Sequence, residues 1–132
     1  MSKHTDLIAL VGRCLMAVLF FLSGLGKVMA PQPTIAYITS VGLPLPEAAY
    51  AISILVELGG AILLVLGWQT RLLGAALSLF VLATALIFHR NFADQNMLTH
   101  FLKNIAMTGG LLQLVAFGAG KYSLDARGPL AS

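Results

Sequence analysis

Residues 52–67 read ISILVELGGAILLVLG, from Ile52 to Gly67, an apolar run with one carboxylate, Glu57, near its middle. Taken with the residues before it, from about Glu47 to Leu66, the run is long enough as a helix to cross a hydrocarbon core of ~30 Å at ~1.5 Å per residue. A charge at that depth is costly unless it is paired, protonated or beside water. The same stretch therefore decides the solvent of the fold and raises the question of what holds Glu57.

Working outward, three further apolar runs have similar length: Leu7 to about Met29, about Leu72 to Phe88, and about Leu98 to Phe117. The composition agrees with burial in lipid. The 132 residues are 58% hydrophobic and 10% charged, with a mean hydropathy of +0.90, whereas soluble domains carry about 25% charged residues. The expected fold is all-α, one polytopic membrane domain over 1–132 with a four-transmembrane-helix bundle and a polar tail at 118–132. Lys3 ahead of the first run resembles a signal peptide, but Arg13 lies inside the run and no A-x-A site follows, so the segment reads as a retained helix.

The connections fit this assignment. Ala30 to Glu47 holds four of the five prolines, which cannot continue a helix, and predicts an extended loop with a short helical turn near 35–39. GWQTR, Gly67 to Arg71, predicts a tight turn capped by Gly67. With four spans both termini share a face, together with Arg13, Arg71, Lys121 and Arg127. Lys27, Arg90 and Lys103 fall on the other, so the positive-inside rule places the termini in the cytoplasm.

Polar and small residues recur at helical period. The expected inward stripes are Ala9, Arg13, Ala17, Phe20, Gly24 and Lys27; Ala49, Ser53, Glu57, Gly60, Leu64 and Gly67; Arg71, Ala75, Ser78, Leu82, Ala85 and His89; and Thr99, Lys103, Ala106, Gly110 and Gln113. Intramembrane charges face the bundle interior, and small residues let helices approach closely. By rise per residue, Glu57 lies roughly 15 Å deep, Arg13 roughly 9 Å from one face and Lys103 roughly 8 Å from the other. Either basic residue is then the expected partner of Glu57. Lys27, at a helix end, reads as an interface anchor. Glu57, Lys103, Asn104, Arg13, His89 and Lys27 are the candidates for ligand binding or proton relay, with no catalytic group assigned.

Several classes are excluded or disfavoured. A single cysteine, Cys14, rules out an intrachain dithiol mechanism. The scattered basic residues give no nucleic-acid footprint. His89 and His100, with Asp94 between them, fall short of the three or four ligands of a usual transition-metal site. Gly74–Ser78 and Ala106–Gly110 permit close packing within a monomer or in a homo-oligomer.

Five motifs follow one another along nearly the whole chain: GRCLMAVLFFLSGLGKV, VELGGAILLVLGWQTR, FHRNFADQ, FLKNIAMTGGLL and GAGKYSLD. On these the chain resembles the DoxX family of small bacterial inner-membrane proteins. The resemblance implies a four-helix inner-membrane protein whose recurrent polar positions fall on Arg13, Lys27, Glu57, Arg71, His89, Lys103 and Asn104. Some relatives are described as membrane partners of redox enzymes, including a subunit of a thiosulfate:quinone oxidoreductase. The expectation is a membrane subunit, not catalytic on its own and with no intrinsic cofactor, that binds a quinone-like or other small amphiphile or docks a redox partner. The rival readings are a proton-coupled exporter using Glu57 and a structural protein without a ligand.

Overall fold

The computed structural model describes residues 3–88 and 93–127, and its regular structure is helical throughout. Five helices follow in order: α1 (Lys3–Met29), α2 (Pro31–Ser40), α3 (Pro46–Leu66), α4 (Thr70–Phe88) and α5 (Gln95–Phe117), with a 3₁₀ turn at Asp125–Arg127. A helix covers each of the four apolar runs, starting one to four residues earlier than the run.

Helix α2 corrects the expectation of an extended loop. Pro31 occupies its first turn as helix position N1 or N2, and Pro33 lies two residues on. The first N–H groups of a helix have no intrahelical partner, so proline there loses nothing. The Thr34 amide then donates to the Ala30 carbonyl at 3.2 Å, and the Thr34 hydroxyl bonds the same oxygen at 2.7 Å. Pro46 opens α3 in the same way.

Gly67 ends α3 at φ 70°, as its position predicts, with its amide on the Leu63 carbonyl at 2.8 Å. Asp94 caps α5 by accepting from the Asn96 amide at 2.9 Å.

The helices pack mainly as two pairs, α1 along α3 and α4 along α5, joined more sparsely between α3 and α4. Their shared core is Ala17, Phe20, Ala61, Leu64, Leu77, Val81 and Leu111. The α4–α5 approach is close: a Cβ on Gly74 would lie 3.1 Å from the Leu111 carbonyl oxygen. Large apolar side chains such as Ile8, Leu15, Leu55, Leu72 and Leu79 point outward, which fits lipid as the surrounding medium.

Among the described residues, three helices are long and apolar enough to cross a membrane: His4–Met29, Pro46–Leu66 and Thr70–Phe88. The fifth helix spans 23 residues but is not among them, because His100, Lys103, Asn104 and Gln113 interrupt its apolar run.

Two stripes fall where the sequence placed them. Arg13, Ala17, Phe20 and Gly24 are buried on α1, and Glu57, Gly60, Leu64 and Gly67 on α3. The other two are rotated. Helix α4 buries Thr70, Gly74, Leu77, Ser78, Val81 and Ala85 and leaves Arg71 exposed. Helix α5 turns Asn104 and Leu111 inward and leaves Thr99, Lys103, Ala106 and Gln113 exposed. On both helices the buried face lies one position, about 100° of helix, away from the phase that includes every charge.

Candidate functional site

At the end of the bundle formed by the last turns of α1 and α4 and the first turns of α3 and α5, the two helix pairs separate around a cavity of about 510 Å³. Leu19, Phe20, Phe80, Val81, Phe88 and Met107 supply its apolar wall. Its polar lining is Ser23, Lys27, Thr34, Tyr37, Ser53, Glu57, Thr84, His100, Lys103 and Asn104. Five of the six candidate residues are described; Lys27, Glu57, Lys103 and Asn104 converge on this cavity, and Arg13 does not. His89 lies outside the described residues.

Glu57 is 5% exposed, and its Oε1 accepts from Lys27 Nζ at 2.6 Å. Lys27 also donates to Ser23 Oγ at 3.2 Å. This corrects the expected pairing: the partner is Lys27, not Arg13 or Lys103. The reason is the tilt of Cα–Cβ bonds toward a helix N-terminus. On α1 that tilt carries Lys27 from the helix end into the bundle, while on the antiparallel α3 it carries Glu57 up toward Lys27. Arg13, tilted along α1 in the same sense as Lys27, is carried away from Glu57. The other carboxylate oxygen, Oε2, is buried with no hydrogen-bond partner among the described residues.

Arg13 has a different task at the opposite end. It is 1% exposed and donates only to backbone carbonyls: Leu64 at 2.7 Å, Val65 at 3.0 Å, Ala119 at 3.2 Å and Tyr122. Leu64 and Val65 belong to the last turn of α3, whose carbonyls lack intrahelical donors and carry partial negative charge. One guanidinium thereby ties α1, α3 and the tail together.

The tail that the sequence suggested was merely polar is a strap. Leu124 and Asp125 amides donate to the Leu66 and Gly67 carbonyls, both at 2.9 Å. Asp125 then caps α4, accepting from the Gln69 amide at 2.6 Å and the Thr70 amide at 2.8 Å. Burial pushes the Asp125 carboxyl up, but the bonds from Thr70 and Gln69 and the charge of Arg13 outweigh it and hold it below its ordinary 3.8. Near the start of α1, buried Asp6 accepts from the Lys121 amide at 3.2 Å.

At the cavity, Asn104 is 8% exposed and donates to the Val81 carbonyl and to Thr84 Oγ1, both at 3.3 Å. Lys103, one position before it, is exposed yet lines the cavity. Sequence reading missed Tyr37, whose hydroxyl bonds the Phe88 carbonyl at 2.9 Å while its ring stacks on Phe88 at 5.5 Å. It also missed Tyr50, which donates to the Lys27 carbonyl at 2.7 Å. Both tyrosines lie at or beside the proline-rich connection, and aromatic residues there were the available signal.

The profile of the DoxX family matches residues 8–90, from the second turn of α1 to the end of α4 and just beyond. The chain belongs to the DoxX family. It is 38% identical over 125 residues to the inner membrane protein YqjF of Escherichia coli, covering 95% of each chain. It is 35% identical to the inner membrane protein YphA of the same organism, over 89% of this chain and 88% of that one. A shorter match, 34% identical over 60% of this chain and 58% of the other, is to a Bacillus subtilis protein named "Putative oxidoreductase CatD". No solved structure matches. Family, relatives and apolar helices agree: this DoxX protein is a multi-pass protein of the bacterial inner membrane.

Proposed function

We propose that this DoxX protein is a membrane subunit or partner of a redox system that binds a small quinone-like amphiphile in the cavity beside Glu57. The observation that carries the reading is the cavity of about 510 Å³ on which Lys27, Lys103 and Asn104 converge with Glu57 beside an apolar wall. Small-molecule sites are clefts of ~300–1,000 Å³, mostly apolar, with a few convergent polar groups. A quinone head fits the donor set: Lys27 and Lys103 present ammonium donors to a carbonyl oxygen, and Leu19, Phe80 and Met107 offer apolar cover to a ring. The name of the CatD relative supports a redox association.

The reading includes α5 as a fourth span with both termini cytoplasmic. Helix α5 follows α4 along its length, from Leu111 beside Gly74 to Asn104 beside Val81 and Thr84. The exporter reading has less support, because a cation-exchanging carboxylate needs to be open to its cargo, and Lys27 already occupies Glu57.

The test is calorimetric titration of the purified chain in nanodiscs with a short-chain ubiquinone analogue. Saturable binding is expected, weakened about tenfold or more when Thr84→Phe fills the cavity, and unchanged by Leu79→Phe on the exposed face. Absence of saturable binding, or equal binding by both variants, would overturn the reading.

A further inference from the structure

The charges that line the cavity do not balance. Lys27 reaches it from α1 and Lys103 from α5, with His100 one turn before Lys103. Tyr37 on α2 is a further titratable group there, and among the described residues α4 adds Thr84 as its polar group. Against these, Glu57 is the one carboxylate lining the cavity among the described residues. It is committed to Lys27 by the 2.6 Å contact. The Lys103 ammonium makes no hydrogen bond or ion pair among the described residues. Lys27 is about one quarter exposed at its side chain, and two contacts, to Glu57 and Ser23, leave a third N–H for another acceptor.

Among the described residues, two ammonium groups line the cavity against one carboxylate, which leaves one positive charge without a counter-charge beside an apolar wall. An occupant that brings one negative charge would satisfy what the protein leaves open, whereas a cation would meet two like charges.

Resting on the cavity reading above, we infer that the ligand of this site is a singly charged oxyanion on an apolar ring or chain, a phenolate, enolate or carboxylate, with its head between Lys27 and Lys103. This narrows the quinone-like class to its acidic members. A diffusible aromatic acid and an anionic lipid headgroup share this chemistry, so the test separates them.

The full chain, in a Cys14→Ala background to remove its thiol, is placed in phosphatidylcholine nanodiscs. It is titrated calorimetrically at neutral pH with menadione, which is neutral, and with lawsone, a naphthoquinone ionised through its hydroxyl. Lawsone is expected to bind tighter by about tenfold or more, the equivalent of ~1.4 kcal/mol. With Lys103→Met the ratio is expected to fall to near one; this variant removes a charge from a membrane helix and is expected to fold. Equal affinity of the two compounds for the unaltered Lys103 protein would overturn this inference and leave the cavity reading standing. If neither compound binds, the cavity reading falls and this inference with it. In discs containing phosphatidylglycerol the preference is expected to persist; competitive loss of lawsone binding there would assign the anion to lipid and overturn the small-amphiphile form.

Discussion

Lys27 on α1 and Glu57 on α3, thirty positions apart in sequence, meet through Nζ and Oε1 at 2.6 Å. The pair has unequal members: the Glu57 side chain is 6% exposed and that of Lys27 26%. Breaking a buried pair by removing one partner strands the other, and for a stranded buried charge the loss is commonly ~3–5 kcal/mol. Lys27→Met is therefore expected to destabilise the protein by about 3 kcal/mol, because it leaves a carboxylate in the bundle. Glu57→Gln is expected to cost less, since Lys27 can turn toward water. The double variant is expected to recover most of the loss, as read by thermal unfolding in detergent.

Arg13 serves four carbonyls from two segments, the end of α3 and the tail, which a lysine ammonium with three donors on a narrower head cannot reproduce. Both Arg13→Lys and Arg13→Gln are expected to lower stability by more than about 2 kcal/mol, at roughly 1 kcal/mol or more for each lost bond. The C-terminal strap is expected to release first, so limited proteolysis after Gly118 is expected to rise before the helices unfold.

Asp125 gives the fold a pH dependence at the strap. Its carboxyl titrates below the ordinary 3.8, so the cap on α4 contributes stability that is complete above that value. The contribution is lost as the pH falls through the depressed folded value. Trp68, the single tryptophan, adjoins the capped residues Gln69 and Thr70. Its fluorescence is expected to report strap release on acidification below 3.8 in the native protein. In Asp125→Asn the released signal is expected to be present already at neutral pH and to change little on acidification.

The proposed topology, with α5 as a fourth span, puts both termini in the cytoplasm. A C-terminal green fluorescent protein fusion is expected to fluoresce and a C-terminal alkaline phosphatase fusion to be inactive. The opposite pattern would mean that α5 does not cross the bilayer.

The apolar periodicity made the helices legible, together with the buried faces of α1 and α3. The α1 stripe already contained Lys27 beside Gly24 and Phe20, yet counting residues from the helix end placed the lysine at the membrane surface. Counting treats a side chain as level with its Cα, and the Cβ tilt of antiparallel helices moves Lys27 and Glu57 toward each other by several Å. The inward face of α5 was not legible because Lys103 and Asn104 are adjacent, and a period alone does not say which of two neighbouring polar residues is buried. Asn104 is, because its amide finds the Val81 carbonyl and the Thr84 hydroxyl. The bonds of Asp125 to Gln69 and Thr70 join positions over fifty residues apart, and no local pattern announces them.

The central claim is that the cavity between the helix pairs holds a small amphiphile. Photolabelling of the membrane-embedded protein with an azido-quinone, followed by peptide mass spectrometry, tests it directly. The account predicts labels concentrated on Leu19 to Lys27 of α1 and His100 to Met107 of α5, suppressed by excess unlabelled quinone. Labels spread over outward residues such as Leu15, Leu55 and Leu79, with no suppression by competitor, would contradict it.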